Sequence, residues 1–411
     1  MTISSPAGGN TAGQAQKPAL EYTAQAASPL VNGEVKLTIG GKALAVTALF
    51  SAVEIAYAEI NALKMEDYTV TVESDSGEYI FTRLGSWCAP FYSALCDAYN
   101  QAVLRSLFIK DSPFLIAQGN YLYTENSTKR GGAAPIHVYE NNVTVLPPDL
   151  SARRIPLCFV TGMEKGDFTL TLTLDTGDSY ACSKLGYDTA PFADAIEKHI
   201  RVLRETSLAA VKEIDPTLTA AQASQLANLT LQGAAAPIGQ LAEIAPLFTA
   251  ALEKKINATR AAESYAVFKE LCAPAQIWAG FRKSNDSDNS ANEAADASGE
   301  PYMLWLIAPS TDGQYAAVEF AEANSATFIY RTEGDFPVFA RQLNHALEAI
   351  NFKREVIRLS EEELRMPENA DYYMAAKRTA ALQFVRSHFT SRIIHSSPEK
   401  WKSQLQEYFT K

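Results

Sequence analysis

The feature that most constrains the fold of this chain is an internal repeat at an offset of 100 residues. The segment Asp67–Glu78 matches Asp167–Asp178 without a gap, and one residue is then inserted in the second copy at about Ser183. Of the 25 residues in Asp67–Phe91, ten are identical to their counterparts. The chain must therefore fold as two copies of one structural unit.

Each copy alternates apolar side chains with threonines, in Thr69–Val72 and again in Thr169–Leu172. A period of two with β-branched residues predicts a strand that is buried on one face. We expect the aromatic residue before each run, Tyr68 or Phe168, to belong to that buried face. An Asp-Ser-Gly or Asp-Thr-Gly turn then predicts a hairpin with a second strand.

A helix is predicted to close each copy. A proline followed by phenylalanine stands after each hairpin, at Pro90 and Pro191, and proline is well tolerated in the first turn of a helix. The apolar residues that follow share one helical face in each copy: Phe91, Leu95, Ala98 and Ala102 in the first, and Phe192, Ile196, Ile200 and Leu203 in the second.

The repeat extends upstream, where Leu37–Val46 aligns with His137–Leu146 and Val53–Tyr57 with Arg153–Leu157. The first copy alone would suit a helix near Val53. The second copy carries three prolines between residues 147 and 156, which a helix interior does not accept. We therefore predict strands, and we expect the uncharged stretch Ala43–Val53 to be protein interior.

Four further strand-like runs and an amphipathic helix predict a third unit near the C-terminus, without a clear residue match to the repeat. The predicted organisation is a disordered tail at 1–20, a first module at 21–110, a second module at 111–206, a helical connector at 207–261, a third module at 262–351 with an acidic loop at 284–300, and a helical C-terminal segment at 352–411.

A unit of short antiparallel strands capped by one C-terminal helix resembles the pleckstrin-homology-like (PH-like) barrel. The stretch from Ala279–Arg282 to Ala326–Tyr330 is also similar to an uncharacterised bacterial family that carries such domains. The resemblance implies an α+β fold of tandem small antiparallel barrels or sandwiches, each capped by a helix, and a bacterial source. Family members that bind phosphoinositides use a basic cluster in the first hairpin loops, where this chain has only Lys42.

The overall charge and the cysteines restrict the classes of partner. A formal net charge of −11 disfavours nucleic acid and disfavours, without excluding, contact with anionic membrane surfaces. The five cysteines form no CxxC pair, which favours free thiols in a reducing cytoplasm. No apolar run approaches the length of a membrane span, and the N-terminal residues lack the apolar core of a signal peptide.

No set of catalytic, cofactor-binding or metal-ligating residues is apparent from the sequence. The five histidines show no HExxH or HxH spacing. Four basic residues, Lys129, Arg130, Arg153 and Arg154, are hypothesised to line one anion-binding pocket at the mouth of the second module.

Repetition without a catalytic set favours a non-catalytic scaffold that binds a protein partner through its modules. Two alternatives stay open. One is binding of a phosphate or a lipid headgroup at a membrane surface, and the other is an enzyme whose site is assembled between modules.

Overall fold

The structure is a computed structural model that describes residues 20–283, 302–321 and 326–409. The tail predicted at 1–20, except Leu20, and the acidic loop predicted at 284–300 lie outside the described residues. The chain divides into two compact units, Met1–Ala102 and Val103–Lys411.

The first unit is a curled antiparallel sheet closed by a helix. Its elements are β1 (Leu20–Ala27), β2 (Gly33–Ile39), β3 (Ala43–Thr47), β4 (Ala52–Ala56), β5 (Ile60–Glu66), β6 (Thr69–Ser74), β7 (Gly77–Thr82) and α1 (Cys88–Ser106). The strand order is β4-β3-β2-β1-β7-β6-β5. Phe91 of α1 is fully buried and contacts Phe81 of β7 edge-to-face, with 6.3 Å between ring centroids. The strands predicted near Val53 are confirmed.

The second barrel, in the second unit, has the same topology. It consists of β8 (Leu115–Glu125), β9 (Thr128–Val138), β10 (Asn142–Val145), β11 (Arg153–Pro156), β12 (Val160–Gly166), β13 (Thr169–Leu174), β14 (Ser179–Ser183) and α2 (Thr189–Ile214). The strand order is β11-β10-β9-β8-β14-β13-β12. The predicted α+β fold of tandem barrel modules, each capped by a helix, is confirmed.

The cross-strand pairs correct the position of the inserted residue. Val72 pairs with Tyr79 in the first barrel, and Leu172 pairs with Tyr180 in the second. The extra residue therefore lies in the hairpin turn and not at Ser183. A residue added inside a strand would move every later side chain to the opposite face, whereas a turn absorbs it.

The upstream alignment is also wrong by one residue. Leu37 pairs with Val46, and Ile136 pairs with Val145, so Leu37 corresponds to Ile136 and not to His137. Leu37 and Ile136 are both fully buried. Aligning Leu37 with His137 would match an inward-facing residue of one barrel with an outward-facing residue of the other, because neighbouring residues of a strand lie on opposite faces of the sheet.

The aromatic residues before the threonine runs lie in turns, contrary to the prediction that they face the core. Tyr68 and Phe168 have φ angles of 58° and 59° and are 79% and 71% exposed. Each is the second residue of a two-residue hairpin loop, which requires positive φ. The conformation of the loop therefore decides the orientation of these two side chains, and the alternating pattern begins one residue later, in the strand.

Helices and a third sheet complete the second unit. The connecting elements are α3 (Ala220–Leu229), β15 (Ala236–Pro237), α4 (Ile238–Ile244), α5 (Pro246–Asn257) and α6 (Ala262–Leu271), followed by β16 (Trp278–Lys283), β17 (Tyr302–Pro309), β18 (Tyr315–Phe320), β19 (Ala326–Arg331) and α7 (Phe336–Ala349). The C-terminal elements are α8 (Glu355–Arg358), α9 (Glu361–Leu364), α10 (Ala370–Arg378), α11 (Ala380–His388), β20 (Phe389–Ile394) and α12 (Pro398–Phe409).

The third sheet differs from the two barrels, because its strands lie in simple chain order from β15 to β20. Two of its six strands, β15 and β20, come from outside the segment 262–351. In the segment 352–409, β20 is the one strand, and the other regular elements are helices joined by short connections. Among the helices of residues 20–283, 302–321 and 326–409, none combines the length and hydrophobicity that a bilayer crossing requires.

Gly280 in β16 lies against the buried indole of Trp305, where an added Cβ would be 2.1 Å from Trp305 Cε2. Because the ring is enclosed, Gly280→Ala should lower the free energy of unfolding by about 3 kcal/mol through overpacking. At Gly162 an added Cβ would meet its nearest neighbour at 3.7 Å, so Gly162→Ala is the control. Urea denaturation that gives both variants the same stability would contradict this packing.

Candidate functional site

Arg153, one of the four hypothesised anion-binding residues, lies in a buried polar network at one end of the second barrel. Its Nε is 2.8 Å from Glu125 Oε2, and the Tyr180 hydroxyl donates to Glu125 Oε1 at 2.6 Å. Arg153 Nη1 donates to the carbonyl oxygens of Leu150 and Ala152 at 2.8 and 2.9 Å. The arginine therefore holds the β10–β11 loop against the end of the barrel.

Tyr180 remains a neutral donor in this network. Its burial and the neighbouring Glu125 carboxylate raise the pKa of Tyr180 well above its usual value. The network pairs buried charges with hydrogen bonds, as buried ions require.

Arg154, the next residue, faces a different neighbour. Its guanidinium donates to both carboxylate oxygens of Glu348 in α7, with Nη2 2.7 Å from Oε1. Both side chains are buried. Close by, the His345 ring lies 2.6 Å from Asp175 Oδ1 and stacks on Phe159 at 4.1 Å between centroids. These contacts join the second barrel to α7, the helix that follows β19 of the third sheet.

Lys129 and Arg130 lie near the tip of the β8–β9 hairpin and are exposed. Burial raises the pKa of Tyr123, and the nearby Arg153 and Arg130 act against that rise. Arg130 pairs with Tyr123 across the β8–β9 ladder, and Arg153 Cζ lies 4.9 Å from the centroid of the Tyr123 ring, whereas Arg154 is directed to α7. Both arginines of β11 already bind carboxylates, so an anion would have to displace one of them. An anion-binding role for the four residues stays a prediction.

The corresponding end of the first barrel lacks this closure. The pair Ala26–Gly33 ends the β1–β2 ladder, whereas the β8–β9 ladder continues for four pairs beyond its equivalent, from Leu122–Gly131 to Glu125–Thr128. Glu125 therefore has no counterpart in the first barrel. Val53 stands in the position of Arg153, because Val46 pairs with Val53 as Val145 pairs with Arg153.

Without a clamping arginine, the β3–β4 loop of the first barrel projects into solvent. Leu49 is 85% exposed and Phe50 is 94% exposed. The expectation that Ala43–Val53 is all protein interior is therefore wrong at the loop. The composition indicates burial, but a hairpin loop has no sheet face on which to bury its tip.

The loop forms one side of an open cleft of about 1370 Å³ in the first unit. The floor is formed by β1 and β2, and the opposite side by the turn at residues 83–87. Trp87, which is 63% exposed, lies at this turn with its ring 6.3 Å from Tyr22. The residues that line the cleft include Tyr22, Lys36, Leu49, Phe50, Arg83 and Trp87.

The cleft combines apolar side chains with charges of both signs. Lys36 Nζ is 2.7 Å from Glu21 Oε2 at its floor, and Glu34 and Arg83 lie at its edges. Its lining residues include no histidine or cysteine. Large exposed aromatic and aliphatic groups beside polar ones are suited to binding a peptide segment. Sequence reasoning missed this cleft, although apolar residues in a predicted hairpin region were the available signal.

A second cluster has the residue types of a catalytic triad but a structural environment. Thr327 Oγ1 donates to Glu319 Oε2 at 2.7 Å and lies 3.1 Å from His395 Nε2. Trp401 Nε1 donates to the same hydroxyl oxygen at 2.9 Å. Thr327 is fully buried, so a substrate cannot reach its hydroxyl. The cluster attaches α12 to the third sheet.

Replacing Arg153 tests the closure of the second barrel. Arg153→Leu leaves the Glu125 carboxylate buried without its cation, so the free energy of unfolding should fall by about 3–5 kcal/mol. Replacing both residues by leucine should recover a large part of that loss, because no buried charge remains. Lys165→Leu, which breaks the exposed pair with Glu197, is expected to leave stability nearly unchanged. Equal stability of all three variants in urea denaturation would disprove the buried pair.

Comparisons with known proteins give matches among solved structures alone. No family model matches the chain, and no curated protein matches it. Among solved structures, a chain of the Spt16D Pob3N heterodimer is similar at 10% identity with a TM-score of 0.18, covering 40% of this chain and 87% of that chain. A TM-score this low carries neither fold nor function between proteins. The resemblance to a bacterial family stays a prediction.

Proposed function

We propose that the chain is a non-catalytic scaffold whose first barrel binds a segment of a partner protein in its open cleft. The observation that supports this is the pair Leu49 and Phe50, which are 85% and 94% exposed at the edge of a cleft that also contains Trp87. Adjacent large apolar groups held in water are unfavourable in a free protein and are typical of interaction sites.

Leu49, Phe50 and Trp87 would supply most of the free energy of binding. Burying a leucine or phenylalanine that was exposed contributes about 1.5–3 kcal/mol each, and tryptophan is enriched among the residues that dominate binding free energy. The charged residues at the floor and the edges, including Lys36 and Arg83, would orient the partner segment more than they would raise its affinity.

A protein partner is favoured over a membrane surface by the charges of the cleft. Its lining contains Glu21 and Glu34 as well as Lys36 and Arg83, so the formal charges cancel. Binding to anionic lipid needs a cluster of basic residues. The five free cysteines support a cytoplasmic location, because such thiols persist in a reducing compartment.

The test is affinity capture of the full-length chain and of a Leu49→Asp/Phe50→Asp variant from native lysate, with quantitative mass spectrometry. A stoichiometric partner of the unaltered chain should be lost from the variant. Leu247→Asp, at an exposed leucine of α5, is the control and should retain it. Circular dichroism should show all three chains equally folded, because the altered positions are exposed.

Two results would count against the proposal. In one, a partner is recovered equally with the unaltered chain and the cleft variant, which would place the interaction elsewhere. In the other, the chain sediments with vesicles of phosphatidylcholine and phosphatidylserine, and the cleft variant does not. The loop would then be a membrane anchor.

A further inference from the structure

One part of the surface of the second barrel binds the helix α7. This part, here called the β11 face, consists of Arg154, Phe159 and Asp175. Arg154 binds the carboxylate of Glu348 through two donors. Asp175 binds the ring of His345, which also stacks on Phe159. The β11 face therefore binds a helix, α7, through side chains three residues apart on that helix.

The first barrel has the same backbone at the equivalent place. Asp75 N donates to the Glu59 carbonyl at 3.0 Å, and Asp175 N donates to the Phe159 carbonyl at 3.1 Å. Each of these acceptors is the last residue of a short helical turn, at 57–59 in the first barrel and at 157–159 in the second. The correspondence is thus fixed by hydrogen bonds as well as by the sequence repeat.

The side chains at this place, here called the β4 face, are Glu54, Glu59 and Asp75. Glu54 stands in β4 where β11 has Arg154, Glu59 replaces Phe159, and the aspartate is kept. Glu54 and Asp75 are exposed, and Glu59 is half-buried. The backbone that carries α7 in the second barrel therefore brings three carboxylates together in the first, and Asp75 Oδ1 also accepts a hydrogen bond from Asn61 Nδ2 at 3.1 Å.

We propose that the β4 face binds a basic helix of a partner protein. A helix fits this face because the equivalent face of the second barrel carries the helix α7. A basic helix fits best because Glu54 is negatively charged where Arg154 is positively charged. An arginine or lysine of the partner would take the place of Glu348 against Glu54. A second basic residue one turn earlier would take the place of His345 against Asp75.

The third carboxylate adds to this preference. Glu59 cannot stack on an imidazole ring as Phe159 does, and it raises the negative charge beside Asp75. Ala56, which is half-buried and shares a face of β4 with Glu54, gives little apolar area for contact. Binding would therefore be largely electrostatic and would weaken as salt is added. This surface is separate from the cleft at the β3–β4 loop.

The experiment uses the full-length protein and two labelled, alanine-based helical peptides, measured by fluorescence anisotropy at low ionic strength. One peptide carries arginines at positions i, i+3 and i+4, and the other carries glutamates at the same positions. The arginine peptide should bind and the glutamate peptide should not. Glu54→Gln/Asp75→Asn should weaken the arginine peptide on the order of tenfold.

Glu54→Arg should weaken the arginine peptide at least as much as Glu54→Gln/Asp75→Asn, because it places a cation against the partner's basic residue. It should not make the glutamate peptide bind, because Glu59 and Asp75 still repel that peptide. Glu66→Gln is the matched control, because this exposed residue lies at the far end of β5 from the β4 face. It should leave binding unchanged, as should Leu49→Asp in the cleft. The inference is overturned if Glu66→Gln weakens binding as much as Glu54→Gln/Asp75→Asn, if the two peptides bind alike, or if neither binds.

Discussion

In both barrels the phenylalanine in the first turn of the closing helix is fully buried against the curled sheet. Phe91 of α1 and Phe192 of α2 have no exposed surface, and the proline before each one directs the chain into the helix. The alternating strands can bury one face only if something fills the inside of the curl. The helix does this in both units, and the two copies of the repeat consequently share one topology.

This shared scaffold leaves the ends and outer faces of the barrels free to differ. In the second barrel, consecutive arginines in β11 take opposite directions, Arg153 to Glu125 and Arg154 to Glu348. One closes the end of the barrel, and the other attaches α7. In the first barrel the same positions are Val53 and Glu54, and the loop and the face are open. Two differences in one strand, together with the longer β8–β9 hairpin that supplies Glu125, thus accompany the closed end of the second barrel and the open end of the first.

The local parts of the fold could be predicted from the sequence. Period-two alternation identified Val70 and Leu170 as buried, and comparison of the two copies excluded a helix near Val53. The clamp between Arg154 and Glu348 could not be predicted, because the two residues are 194 positions apart and neither lies in a recognisable motif. The strand β20 was missed because Phe389–Ile394 directly follows α11, so the helical pattern masks it.

The cleft of the first barrel could not be predicted for a related reason. Leu49 and Phe50 extend an apolar stretch that composition alone assigns to the interior. They lie beyond the sheet because β3 ends at Thr47 and β4 begins at Ala52, and the sequence alone does not show where these strands end. The carboxylate partners of Arg153 and Arg154, which are Glu125 and Glu348, could not be identified from the sequence either, because they meet the arginines only when the strands and helices are assembled.

The first barrel is open where Arg153 closes the second. Native-state hydrogen exchange of the full-length chain, followed by mass spectrometry, compares the β3–β4 loop at residues 48–51 with the β10–β11 loop at residues 146–152. We expect the β10–β11 loop to exchange more slowly by orders of magnitude, because local opening must break the buried network. Equal exchange of the two loops, or slower exchange of the β3–β4 loop, would contradict it.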